Sequence, residues 1–235
     1  MIAAAHDWAV THPGAVRPNN QDALVSRADA GLWAVADGAG GHRAGEVASA
    51  MIAAALDGIP SALGSEESLV QIRLRLAAVH DALRARAAEE GGMIASTVVV
   101  LLVRDSHFVC LWAGDSRAYI LRDGSLTPIT RDHSLVQTLI DAGSLSEEDS
   151  ERHPHANVIT RAVGGDEPLL ELDKVTGRLV PGDRFLLCSD GLSKTLDLAT
   201  MALLTADPAD PANRLVESAL LAGVRDNVTA VVVQP

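Results

Sequence analysis

Aromatic residues are scarce in this chain. Phe, Trp and Tyr together make up 3% of its 235 residues, so a core has to be filled by Leu, Val, Ile and Ala. Basic residues are also few. Lys and Arg number 19 against 31 Asp and Glu, a net charge of -12, which disfavours nucleic acid and anionic membrane surfaces as main partners. An acidic excess suits bound cations, although solubility alone accounts for it equally well. Long apolar runs are missing too: the longest, Thr97 to Val103, is far too short to cross a bilayer. Met1 to Asp7 carries neither a basic stretch nor an apolar core, so no signal peptide is expected. The two cysteines, Cys110 and Cys188, sit in apolar runs, which predicts buried free thiols and a cytoplasmic protein, and excludes a disulfide scaffold. With 48% hydrophobic and 21% charged residues the composition is globular, and neither an internal repeat nor a long linker breaks the expectation of a single domain over 1–235.

Against these absences, secondary-structure signals are plentiful. Leu32 to Ala36, Thr97 to Val103, Phe108 to Trp112, Arg117 to Leu121, Arg184 to Cys188 and Val228 to Val233 read as strands, with Ala23 to Val25 a shorter one. Arg104 to His107 and Arg122 to Ser125 read as hairpin turns. Leu69, Ile72, Leu76, Val79 and Leu83 recur every three or four residues, the mark of a long amphipathic helix with Glu66 and Glu67 in its first turn. Further helices are predicted over about Ala44 to Leu56, Ser134 to Ala142 and Ala212 to Leu221. Strands come in runs rather than alternating regularly with helices. That pattern favours a layered α+β sandwich over a doubly wound parallel sheet.

The most informative pattern is an aspartate at one strand end after another. Asp37, Asp115 and Asp190 each follow an apolar strand, Asp226 precedes one, and Asp22 adjoins another. A carboxylate at the rim of a buried sheet is costly unless it is paired or ligates metal. No Lys or Arg recurs at a matching spacing to pair with each. Divalent cations are the simplest remedy for converging acids, and all-oxygen ligation suits Mg²⁺ or Mn²⁺. Singly, each Asp-Gly is a turn; jointly they point to a metal centre.

Other signals are weaker. Gly38 to Arg43 follows a strand and precedes a helix like a dinucleotide loop, but Arg43 stands where the third glycine belongs, which argues against a nucleotide-dependent oxidoreductase. Cys110 to Arg117 has the wrong spacing for a thiol phosphatase loop, and Ser116 lacks a nucleophile elbow. His80 reads as a packing or surface residue, and His153 and His155 as solvated loop residues. His42, five residues after Asp37 in the glycine-rich loop, can reach the same site. Arg17, just before Asp22, is a candidate phosphate ligand.

Taken together, Arg17 to Asp22, Ala36 to His42, Ala113 to Tyr119, Leu187 to Gly191 and Arg225 to Thr229 resemble, in order, the motifs of the metal-dependent protein phosphatases of the 2C type. Thr130 to Val136 and Asn157 to Gly164 resemble the bacterial branch, flanking its mobile flap. The resemblance implies a four-layer α-β-β-α sandwich with two central antiparallel sheets and a flap at about 133–164. It implies hydrolysis of phosphoserine and phosphothreonine in proteins by a metal-activated water at a two- or three-metal centre. By likeness, Asp37, the Gly38 carbonyl, Asp190 and Asp226 hold two Mn²⁺ or Mg²⁺ ions, and Asp115 with Asp190 holds a looser third. Arg17 grips phosphate, Asp22 supports the metal-bound waters, and His42 is a candidate for substrate contact or proton transfer.

Two positions depart from the family pattern. Gln21 stands where a Glu is common, and Ala39 where eukaryotic members carry a histidine general acid. The chain resembles stand-alone phosphatases that oppose a Ser/Thr kinase, including those of type VI secretion clusters. Phosphoprotein substrates, a kinase pathway, a monomeric state and no membrane insertion are the corresponding expectations. The alternative is a non-catalytic pseudophosphatase that binds proteins through the same fold, and the intact Asp37, Asp190 and Asp226 argue against it.

Overall fold

Alternation along the strands decides the architecture. The structure, a computed structural model, describes residues 5–40, 44–150 and 152–235. In chain order its elements are β1 (His6–His12), β2 (Asp22–Arg27), β3 (Leu32–Ala39), α1 (Ala44–Asp57), α2 (Ser65–Glu90), β4 (Ala95–Ser96), β5 (Val98–Arg104), β6 (His107–Ala113), β7 (Arg117–Arg122), β8 (Ser125–Pro128), α3 (Leu135–Asp141), α4 (Glu147–Ser150), β9 (Asp173–Arg178), β10 (Arg184–Cys188), α5 (Asp190–Ser193), α6 (Leu198–Thr205), α7 (Pro211–Leu221) and β11 (Val228–Gln234). One sheet has the order β1-β11-β10-β7-β8 and the other β2-β3-β5-β6-β9, with β4 paired to the end of β3. Every strand pairing is antiparallel.

Successive side chains of a strand point to opposite faces, and the core divides accordingly. Trp33, Val35, Val99, Leu101, Phe108 and Cys110 of one sheet meet Ala118, Phe185, Leu187, Val231 and Val233 of the other. Their alternate neighbours Leu32, Ala34, Ala36, Val98, Val100 and Leu102 face Ile52, Leu56, Ile72, Leu76 and Leu83 of α1 and α2. On the far side Leu186, Cys188, Ala230 and Val232 face Met201, Leu215, Val216 and Ala219 of α6 and α7. Two sheets with helices on both outer faces are the expected four layers. Because β5 is covered on both faces, it is apolar at consecutive positions rather than alternating.

Cys110 lies between the sheets and Cys188 on the outer face of the other sheet, both buried and free, as expected. Both predicted hairpins form with two-residue loops, pairing Arg104 with His107 and Arg122 with Ser125. Asp105 and Asp123 take the positive φ of 52° that such turns require. Ser134 caps α3 by accepting from the Gln137 amide at 3.2 Å. His80 proves to be a buried packing residue: its ring accepts from the Gly164 amide at 3.0 Å and meets the Glu167 carbonyl at 2.9 Å.

Candidate active site

Strand order brings the five aspartates to one end of the sandwich. Asp22 opens β2 and is the cross-strand partner of Asp37 near the end of β3. Asp115 follows β6, whose last residue pairs with the first residue of β5. In the other sheet Asp190 follows β10 at the start of α5, and Asp226 precedes β11, where Cys188 pairs with Ala230. Asp22, Asp37 and Asp115 thus come from one sheet, and Asp190 and Asp226 from the other. Gly38 sits where a side chain cannot. A Cβ there would lie 2.1 Å from the Gly45 carbonyl oxygen, so the end of β3 is pressed against the first turn of α1.

Short hydrogen bonds pin the two sheets together beneath these acids. Asp22 Oδ2 accepts from Ser189 Oγ at 2.8 Å and from Thr229 Oγ1 at 2.6 Å. Ser189 Oγ in turn accepts from the Thr229 amide at 3.0 Å. The Asn227 side chain donates to the Pro13 and Asn19 carbonyls, both at 2.9 Å, and accepts from the Gln21 amide at 2.8 Å. Ser189, Asn227 and Thr229 therefore position the loop from Pro13 to Asp22. The sequence signal for this network is faint: Ser189 directly precedes Asp190, and Thr229 stands three residues after Asp226.

The electrostatics are those of crowded acid. Burial, opposed by the Thr229 and Ser189 hydroxyls, pushes the Asp22 carboxyl up to about 7. Burial and the charges of Asp22, Asp190, Asp115 and Asp226 hold Asp37 well above the ordinary carboxylate range. Asp115 is pushed to about 6, chiefly by burial and by Asp190. Asp22 Oδ1 is buried and has no hydrogen-bond partner among the described residues.

Two cations answer part of this charge, although no Lys or Arg recurs at a spacing that would pair one with each acid. Arg17 Nη2 contacts Asp226 Oδ2 at 2.8 Å, with both side chains about half exposed. Lys194 Nζ contacts Asp190 Oδ2 at 2.7 Å and Asp115 Oδ2 at 3.3 Å. Sequence reasoning missed Lys194, although it stands four residues after Asp190, the spacing of one helical turn. Among the described residues no three His, Cys, Asp or Glu side chains form a closed ligand cluster as they stand. The donor chemistry nevertheless fits divalent ions at Asp37, Asp190 and Asp226. It is all oxygen, mutually repelling, and backed by the orphaned Asp22 oxygen.

The segment after β8 closes one side of the site. Trp112 stacks on His133 with ring centroids 6.0 Å apart, and His133 Nδ1 accepts from the Gly114 amide at 3.2 Å. Nε2 then carries the proton and faces Asp173 Oδ2 at 3.3 Å. Arg117 holds Asp132 bidentately at 2.9 and 2.8 Å. α3 and α4 follow, and Val163 returns to pair with Ser96. Cys110 sits mid-strand, and burial raises its thiol pKa far above the ordinary value, so it has no part in this chemistry. His42 lies outside the described residues.

A family model described as Protein phosphatase 2C matches residues 15–221. Serine/threonine protein phosphatase PstP of Mycobacterium tuberculosis is 40% identical over 225 residues, 93% of this chain and 43% of PstP. The chain thus spans less than half the length of that relative. Among solved structures, PppA, a key regulatory component of T6SS in Pseudomonas aeruginosa, aligns with a TM-score of 0.90 and 42% identity over 99% of this chain and 98% of that one. The catalytic domain of PstP in complex with two manganese ions aligns with a TM-score of 0.87 and 37% identity over 98% of this chain and 97% of that one.

Proposed function

The chain belongs to the protein phosphatase 2C family, and from that premise we propose that it hydrolyses phosphoserine and phosphothreonine in proteins with the help of Mn²⁺ or Mg²⁺. The observation that carries this reading is the convergence of Asp22, Asp37, Asp190 and Asp226 from two sheets beside Arg17. Asp37, Asp190 and Asp226, with the Gly38 carbonyl, are the residues to hold two ions. When bound, such ions acidify a water and draw charge from the phosphoryl oxygens.

The rest of the work falls to the protein's own groups. Arg17 presents a planar, permanently charged fork at the mouth, suited to two phosphate oxygens. Asp226, which would hold an ion, is also the ion-pair partner of Arg17, so metal loading and phosphate capture would be linked. Asp22, held by the Ser189 and Thr229 hydroxyls, is placed to orient the waters that such ions would bind. His42 is our candidate for protonating the leaving oxygen. The segment at about 133–164 acts as a flap that screens the substrate. Similarity to PppA, a key regulatory component of T6SS, supports a regulatory role in a secretion pathway. On our reading the chain opposes a Ser/Thr kinase and works as a monomer in the cytoplasm. Among the described residues no helix is long and apolar enough to cross a membrane.

The test is hydrolysis of p-nitrophenyl phosphate and of a phosphothreonine peptide across a Mn²⁺ titration, with a chelator control and an Asp37→Asn variant. Turnover that requires metal and falls at least ~10²-fold in the variant is expected. A folded chain inert at every metal concentration overturns the reading and favours a protein-binding role.

A further inference from the structure

Three oxygens from three segments converge on one nitrogen beside the site. Lys194 Nζ donates to Asp190 Oδ2 at 2.7 Å, to Asn157 Oδ1 at 3.0 Å and to Asp115 Oδ2 at 3.3 Å. An ammonium has three donors, and all three are used. Lys194 caps the short α5, and its own amide donates to the Asp190 carbonyl at 2.8 Å. The stem is therefore fixed one turn beyond the acid that the head group contacts. The Asp115 side chain is only 5% exposed, so its charge has little recourse to water.

A point surrounded by two carboxylates and an amide oxygen is a cation site. Here the chain fills it with a cation of its own. A divalent ion at the same point would need those oxygens at about 2.0–2.6 Å, in the space the ammonium takes and against its charge. The residues present thus do not fit the third ion that the family resemblance implies at Asp115 and Asp190. We propose that Lys194 replaces that ion, so that this centre works with two exchangeable metal ions and one tethered ammonium. Lys194 is then a positioning residue: it orients Asp190 and ties the flap, through Asn157, to the acids. The inference rests on the phosphatase reading above, and its test separates the two.

Bound Mn²⁺ is counted by equilibrium dialysis and elemental analysis of the intact chain. The wild type is expected to saturate at two ions per chain, and Asp115→Asn to leave that number at two. Lys194→Ala, and Lys194→Met where the stem is needed for folding, gain a third and weaker ion, which a second substitution Asp115→Asn removes again. Three ions on the wild type, falling to two in Asp115→Asn, overturn the proposal. So do folded Lys194→Ala and Lys194→Met chains that stay at two. A folded wild type that binds none overturns the phosphatase reading itself, and this proposal with it.

Discussion

Raising the pH of the metal-free protein should destabilise it through Asp22. That carboxyl is buried, and its pKa is raised from 3.8 to about 7. Between those values the folded chain holds a proton that the unfolded chain has released, so stability falls as pH rises. The advantage is complete below pH 3.8 and is gone above about 7. From pH 5 to pH 7 it amounts to about 2 kcal/mol, or roughly 4–8 °C in melting temperature for a chain of this length. Asn at this position keeps an oxygen for the Ser189 and Thr229 hydroxyls and removes the charge. Melting curves of wild type and Asp22→Asn at pH 5, 6, 7 and 8, in chelator, isolate the effect of Asp22 together with its coupling to Asp37, because titrations remote from it cancel in the difference. The wild type should lose ground steadily to the variant. Mn²⁺ should abolish the slope, since bound cations then stabilise the charged form that the proton no longer neutralises. A difference between the two proteins that stays constant with pH refutes the reasoning.

Arg17→Ala should lower kcat/KM on a phosphothreonine peptide roughly 10- to 100-fold, the loss of one charge-assisted contact to phosphate. Its ion pair with Asp226 is exposed on both sides, so the melting temperature should hardly move. Gly38→Ala drives a methyl into the Gly45 carbonyl at 2.1 Å and should cost about 1–3 kcal/mol together with most of the metal-dependent turnover, measured at saturating Mn²⁺. Arg122→Ala is the control for stability without function. Arg122 holds the buried Asp183 bidentately at 2.7 Å, at the end of β10 away from the acids. Its loss leaves the buried Asp183 carboxylate without its partner, which should lower the melting temperature and leave kcat unchanged.

The strands of the central pair were legible because burial on both sides demands β-branched and apolar runs. Edges carry no such demand. β1 reads His-Asp-Trp-Ala-Val-Thr-His and β9 reads Asp-Lys-Val-Thr-Gly-Arg, both only half covered, and neither stands out in the sequence. α6 was missed for the opposite reason: Leu198 to Thr205 is apolar on nearly every side and shows no stripe. The aspartates of the site were legible as a set because each interrupts an apolar run. What held them was not. Ser189 and Thr229 look like ordinary strand-end residues until the two sheets are superposed. Lys194 is hidden because Asp190-Gly191 reads as a turn, whereas the chain forms a helical turn there and brings position 194 back over position 190.

The Ser189–Asp22–Thr229 bonds have a mechanical consequence. Neither sheet alone owns a complete set of acids, so the working site exists only along the seam where they meet. A slip of two residues between strands would carry an acid about 7 Å out of place, and a slip of one would turn it to the opposite face. Two hydroxyls gripping one carboxylate across that seam act as an alignment pin, fixing the register of one sheet against the other at the point where error is least tolerable. Partly docked forms of the chain are accordingly silent, and turnover reports the docking of the sandwich as directly as it reports chemistry.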